Sequence, residues 1–168
     1  MIRSFNGISP KIAPSAFVSE AAYVIGDVEI GENSSVWPGA VIRGDICKIV
    51  IGRSSSLEDN CVVHGATRVT IDNNVIIGHG AVVHCQNIGS NVLIGNNVTL
   101  LDGAEIGDSC IVGAGALVLP DTKVPKNSVV MGAPAQVKER VTKEQRDKIK
   151  QGSAFYAKLA QQYLEQGF

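Results

Sequence analysis

Residues 88–130 read IGSNVL-IGNNVT-LLDGAE-IGDSCI-VGAGAL-VLPDTK-VPKNSV-V, with an aliphatic residue opening every sixth position: Ile88, Ile94, Leu100, Ile106, Val112, Val118, Val124 and Val130. A period of six fits neither a helix, which repeats near 3.6, nor a simple strand, which repeats at two. It marks a repeat architecture instead. The same series extends toward the N-terminus through Ile12, Val18, Val24, Ile30, Val36, Ile42, Ile51, Leu57, Val63, Ile71, Ile77 and Val83. Three register corrections are needed: extra residues before Ile51 and before Ile71, and one residue fewer before Ile88.

Numbering the opening aliphatic as position one, position five is mostly small: Ser34, Ala40, Ser55, Cys61, Ala81, Ala104, Cys110, Ala116 and Ser128. Residues two apart in a strand face the same way, so positions five and one share an inward face. Each strand is therefore expected to run through positions five, six, one and two. Positions three and four read Glu32-Asn33, Pro38-Gly39, Gly44-Asp45, Asn73-Asn74, Ser90-Asn91, Asn96-Asn97, Asp102-Gly103 and Asp108-Ser109. Gly, Asn and Asp suit tight corners and left-handed φ. Short strands separated by such corners form a coil that stacks on itself, with rungs about 4.8 Å apart. In this the chain resembles known hexapeptide-repeat proteins, and the resemblance implies three hexads per turn in a triangular prism. The predicted class is all-β, a parallel β-helix over residues 1–136, followed by a C-terminal helical segment over 137–168. Thr142-Lys143-Glu144-Gln145 reads as a capping box that opens the helix. Ile149, Phe155 or Tyr156, Leu159 and Tyr163 form its apolar stripe, with Gly152 as a candidate kink. This segment is expected to pack along the prism.

Hydrophobic residues make up 45% of the 168-residue chain and charged ones 18%, which supports a packed core and argues against disorder. Fifteen basic and 16 acidic side chains leave a net charge of −1, and no basic stripe points to nucleic acid. Residues 1–14 lack the apolar run of a signal peptide, and no stretch reaches the roughly 18 apolar residues of a membrane span. Cys47, Cys61, Cys85 and Cys110 have no paired spacing and read as reduced thiols, with a cytoplasmic location as the expectation.

The chain has three histidines. Cycling the hexads through three faces puts those opening at Ile42, Val63 and Val83 on one face in successive turns. Position two of each points outward, so Arg43, His64 and His84 form a surface column, with the two imidazoles on neighbouring rungs. His79 stands at position three, a corner, five steps of chain from His84 and at most about 17 Å along it. With metal–nitrogen bonds near 2.0–2.1 Å, one chain cannot easily bring all three rings to one ion. Two chains can, if the corner of one meets the edge of another, and a closed three-fold ring repeats that contact. The expectation is a homotrimer with a three-histidine metal site between subunits and a fourth coordination position open.

Three segments carry a family resemblance: Val41-Ile42-Arg43-Gly44-Asp45, Leu57-Glu58-Asp59-Asn60-Cys61-Val62-Val63-His64, and Ile77-Gly78-His79-Gly80-Ala81-Val82-Val83-His84. With Val130-Met131-Gly132-Ala133-Pro134-Ala135, they resemble the γ-class carbonic anhydrases over nearly the whole chain. The resemblance implies a left-handed β-helix trimer whose metal is held by His64 and His84 of one subunit and His79 of the next. It implies reversible hydration of CO₂ to bicarbonate by hydroxide formed at the metal, chemistry for which carbonic anhydrases are the reference case. Zinc is the default for three imidazoles, with Fe(II) and Co(II) as alternatives. Arg43 and Asp45 match the family's interface ion pair, and Tyr156 matches a tyrosine near the site. Two departures stand out. Glu58 replaces the family's usual glutamine, which orients the nucleophile or CO₂. Only Gly65 to Thr70 follow His64 before the next hexad, without the prototype's shuttle glutamate. Two other functions stay open: a metal-binding trimer of little hydratase activity acting as a scaffold or accessory protein, and a coenzyme A-dependent hexapeptide acyltransferase.

Overall fold

A computed structural model describes residues 1–168, which wind into a left-handed parallel β-helix of about seven turns closed by one C-terminal helix. Each opening aliphatic sits on the next one of its own face. The first face stacks Val24, Ile42, Val63, Val83, Leu100 and Val118. The second stacks Ile30, Ile51, Ile71, Ile88, Ile106 and Val124. The third stacks Val18, Val36, Leu57, Ile77, Ile94, Val112 and Val130. The three register corrections therefore hold. From Val24 to Val118 these side chains are almost wholly removed from solvent and make a single apolar column. Each Ile or Leu so buried contributes about 1.5–3 kcal/mol.

The strands proper are shorter than expected. Most cover only positions six and one, as in Ser35–Val36, Val62–Val63 and Leu93–Ile94. Positions five and two already bend toward the corners, although position two still donates to the rung above, as Trp37 N–H does to the Leu57 carbonyl. Position four carries the turn. Asn33, Ser54, Asn60, Asn74, Asn91, Asn97, Ser109, Asp121 and Asn127 all have φ between 52° and 60° there, and Gly39, Gly80, Gly103 and Gly115 fill the same place. Asn and Asp reach this left-handed region more readily than other side-chain-bearing residues because their short polar groups bond locally.

Two strands are long, Tyr23–Ile30 and Val41–Ile51, and carry the chain from the first face onto the second. Gly26 (φ 80°) lies against Gly44 so closely that a Cβ would fall 2.3 Å from the Gly44 carbonyl oxygen. This stacked glycine corner determines where Asp45 emerges.

The outer surfaces of the three faces differ. The second carries charge, with Lys48 and Lys11 on Glu29, and Lys123 on Glu105. The third is covered by helix α1 (Lys143–Glu165). Phe17, Trp37 and Tyr163 meet there with ring centroids 5.1–5.2 Å apart, and the Trp37 indole N–H donates to Ser56 Oγ at 2.9 Å. Ser153 donates to the Ser54 carbonyl at 2.7 Å, and Gln161 to the Ser15 carbonyl at 2.8 Å. Of the paired alternatives on the apolar stripe, Tyr156 packs inward and Phe155 is 61% exposed. Gly152 is no kink. The helix runs through it unbroken, and its missing Cβ would sit 2.9 Å from Ile76 Cδ1, so the glycine lets helix and sheet close up. The first face is uncovered, presenting the apolar Val41, Val62, Val82 and Leu117 together with Thr99, beside the column of Arg43, His64 and His84. No helix is long and apolar enough to cross a membrane.

The helix start is built as the sequence indicates. Thr142 Oγ1 accepts from the Gln145 N–H, and the Gln145 side chain accepts from the Thr142 N–H. Thr142→Ala is expected to destabilise the first turn by about 1 kcal/mol. Hydrogen exchange should quicken at residues 143–147 and stay unchanged in the β-helix. Equal protection in both proteins would remove the cap's role.

Candidate metal centre

The first-face column places His64 and His84 on neighbouring rungs through the pairing of Val63 with Val83. Their facing nitrogens, His64 Nδ1 and His84 Nε2, stand 3.2 Å apart. Two nitrogens of a tetrahedral site with 2.0–2.1 Å bonds lie about 3.3 Å apart, so this pair has the spacing of a metal chelate. Each far nitrogen meets an aspartate: His64 Nε2 lies 3.2 Å from Asp45 Oδ1, and His84 Nδ1 lies 2.8 Å from Asp102 Oδ1. Arg43 binds the other Asp45 oxygen at 2.5 Å. Burial works against the charge of Asp45, but Arg43 outweighs it and holds the carboxyl below its usual range. His64 is held below the usual imidazole value, first by burial and then by the Arg43 charge. Neutral imidazole is the form that ligates cations.

His79 occupies the opposite corner, between the third and first faces. It is half exposed and held on both sides, with Nε2 3.1 Å from Glu58 Oε2 and Nδ1 3.1 Å from Asp59 Oδ2. Glu58 is 5% exposed, at position two of the third face. Tyr156 reaches it from α1; burial first, and then the Glu58 carboxylate, push the phenol well above its usual range. The candidate residues thus fall into two half-sites on separate edges of the chain. One holds Arg43, Asp45, His64 and His84; the other holds Glu58, His79 and Tyr156. No group of three metal donors forms within the single chain.

Two carboxylates escaped the sequence reading. Asp59 and His79 both stand at position three of consecutive rungs on one face, and Asp102 stands at position three of the rung after His84. Once the registers are written out, both follow. The cysteines remain unpaired, and Cys85 joins Cys61 and Cys110 in the core. Burial raises the Cys61 and Cys85 thiols to about 12, so neither is a nucleophile.

Residues 9–44 and 87–120 match the bacterial transferase hexapeptide (six repeats) family. A hexapeptide transferase family protein of Anaplasma phagocytophilum superposes with a TM-score of 0.93 and 32% identity, covering 96% of this chain and 97% of that one. Among curated proteins, the "probable carbonic anhydrase" of Methanocaldococcus jannaschii is 45% identical, covering 89% of this chain and 96% of that protein. The mitochondrial γ-carbonic anhydrase 2 of Arabidopsis thaliana is 38% identical over 91% of this chain, which spans 58% of that protein's length. Repeat, fold and likeness define a hexapeptide-repeat β-helix protein. Within that class, the chain belongs to the γ-carbonic anhydrase family.

Proposed function

We propose that the protein is a homotrimeric, metal-dependent carbonic anhydrase hydrating CO₂ to bicarbonate, with His64 and His84 of one subunit and His79 of the next holding one Zn²⁺ per interface. The observation that carries this reading is the 3.2 Å approach of His64 Nδ1 and His84 Nε2 on the uncovered first face. The chemistry such an ion supplies is Lewis acidity, which makes water nucleophilic at neutral pH. The chain's own groups orient and screen. Asp45 links Arg43 to His64, and Glu58 and Tyr156 sit beside His79 where CO₂ and water would arrive. Fe(II) or Co(II) can occupy such a set in place of zinc. The same reading divides the chain into a β-helix domain, 1–136, and a C-terminal segment, 137–168, and four unpaired thiols support a reducing, cytoplasmic setting.

Metal content, oligomer mass and stopped-flow CO₂ hydration on protein purified without air test the proposal together. A metal-free monomer without activity would end it. One observation favours a second reading, a metal-binding trimer of low hydratase activity: the buried Glu58 carboxylate accepts where an amide would also donate. Glu58→Gln restores that donor. A hydrogen bond worth about 1.4 kcal/mol to the reacting groups corresponds to a gain of about tenfold in CO₂ hydration. Unchanged rates would show that this side chain does not touch the reaction.

A further inference from the structure

We propose that Asp102 is a positioning residue for His84: its carboxylate accepts the Nδ1–H and so leaves Nε2 bare toward His64. The proposal rests on the metal-site reading above but concerns one hydrogen bond within this chain. At 2.8 Å, the Asp102 contact is the shortest that any of the three imidazoles makes. An ionised acceptor strengthens such a bond. Neutral imidazole carries one proton, and whichever nitrogen it occupies is lost to a metal. A carboxylate fixed at Nδ1 places the proton there.

The comparison with Asp45 sharpens the assignment. Asp45 faces His64 from its far side, but Arg43 already binds that carboxylate, so its charge is shared. Asp102 has no cationic partner except His84. The register explains the contact. Val83 pairs with Leu100 one rung above, so position three of the upper hexad leans over position two of the lower. Asp102 is 63% exposed, outside the apolar column, and its side chain bonds nothing else. Its substitution therefore removes one imidazole partner and no packing.

The test uses Asp102→Ala and the isosteric Asp102→Asn in the full chain. Nitrogen-15 NMR of metal-free protein, at a pH where the ring is neutral, reads the His84 tautomer. The expected result is Nδ1–H in the parent protein and a shift toward Nε2–H in both variants. Competition with a chromophoric chelator reads Zn²⁺ binding, expected to weaken by about 10–100-fold, the usual effect of losing such a partner. Asp102→Asn separates charge from shape, because its amide can donate to Nδ1 and favour the opposite tautomer. Parent-like tautomer and Zn²⁺ affinity within twofold of parent in either variant would overturn the proposal. If the parent itself binds no Zn²⁺, the metal-site reading fails, and the tautomer measurement still decides what Asp102 does.

Discussion

Pure His64→Ala and pure His79→Ala proteins are each expected to lose their metal, and a refolded equimolar mixture of the two should regain roughly one quarter of the parent's metal content. The fraction follows from a three-fold ring with one edge and one corner at each interface. An interface is complete only when its edge comes from a His79→Ala subunit, which keeps His64 and His84, and its corner from a His64→Ala subunit, which keeps His79. With random assembly each condition holds half the time. A site built within one chain predicts no recovery at any mixing ratio. The matched control is His64→Ala mixed with His84→Ala. Both lesions lie on the same edge, 3.2 Å apart, so no pairing of subunits can repair it. Metal per subunit, measured after removing loosely bound ions, distinguishes these outcomes. Recovery in the control, or none in the complementary mixture, would place the ligands differently.

The division into edge and corner was legible before any coordinates because the repeat fixes side-chain direction rung by rung. The strongest case is position four, where left-handed residues recur from Asn33 to Asn127. The register corrections at Ile51, Ile71 and Ile88 were equally readable, since each restores the aliphatic column; a strict step of six would have put Lys48 in place of Ile51 and Gly89 in place of Ile88. Less legible was whatever the period does not govern. Ile2–Arg3 adds a rung beside Val24–Ile25, and Gln136–Arg140 closes the last rung antiparallel; neither repeats anything. Gly152 misled because a glycine in a helix signals bending locally, whereas its cause here is the approach of Ile76 from a distant rung. Asp59 and Asp102 were hidden for a different reason. A corner aspartate is already explained by the turn, and its second use depends on which histidine lies on the neighbouring rung.

Ile77→Ala is expected to cost about 2–5 kcal/mol of stability, against roughly 1 kcal/mol for Ile12→Ala. The two residues hold the same repeat position and differ in stacking. Ile77 is wholly buried between Leu57 below and Ile94 above, whereas Ile12 is half-buried at the first turn and stacks on Ile30 alone. In a solenoid, stability is a sum of rungs and their interfaces, so a cavity in mid-column loosens two interfaces and one at the end loosens one. Denaturation should be followed with metal removed, because a bound ion adds stability through its own affinity and would mask the difference. Equal losses at the two positions would mean that the column does not act rung by rung. Adding Zn²⁺ back then links packing to the site. Ile77 lies two residues before His79, so a slack rung lets that corner wander, and the stabilisation gained from Zn²⁺ should shrink in Ile77→Ala while staying at the parent's value in Ile12→Ala.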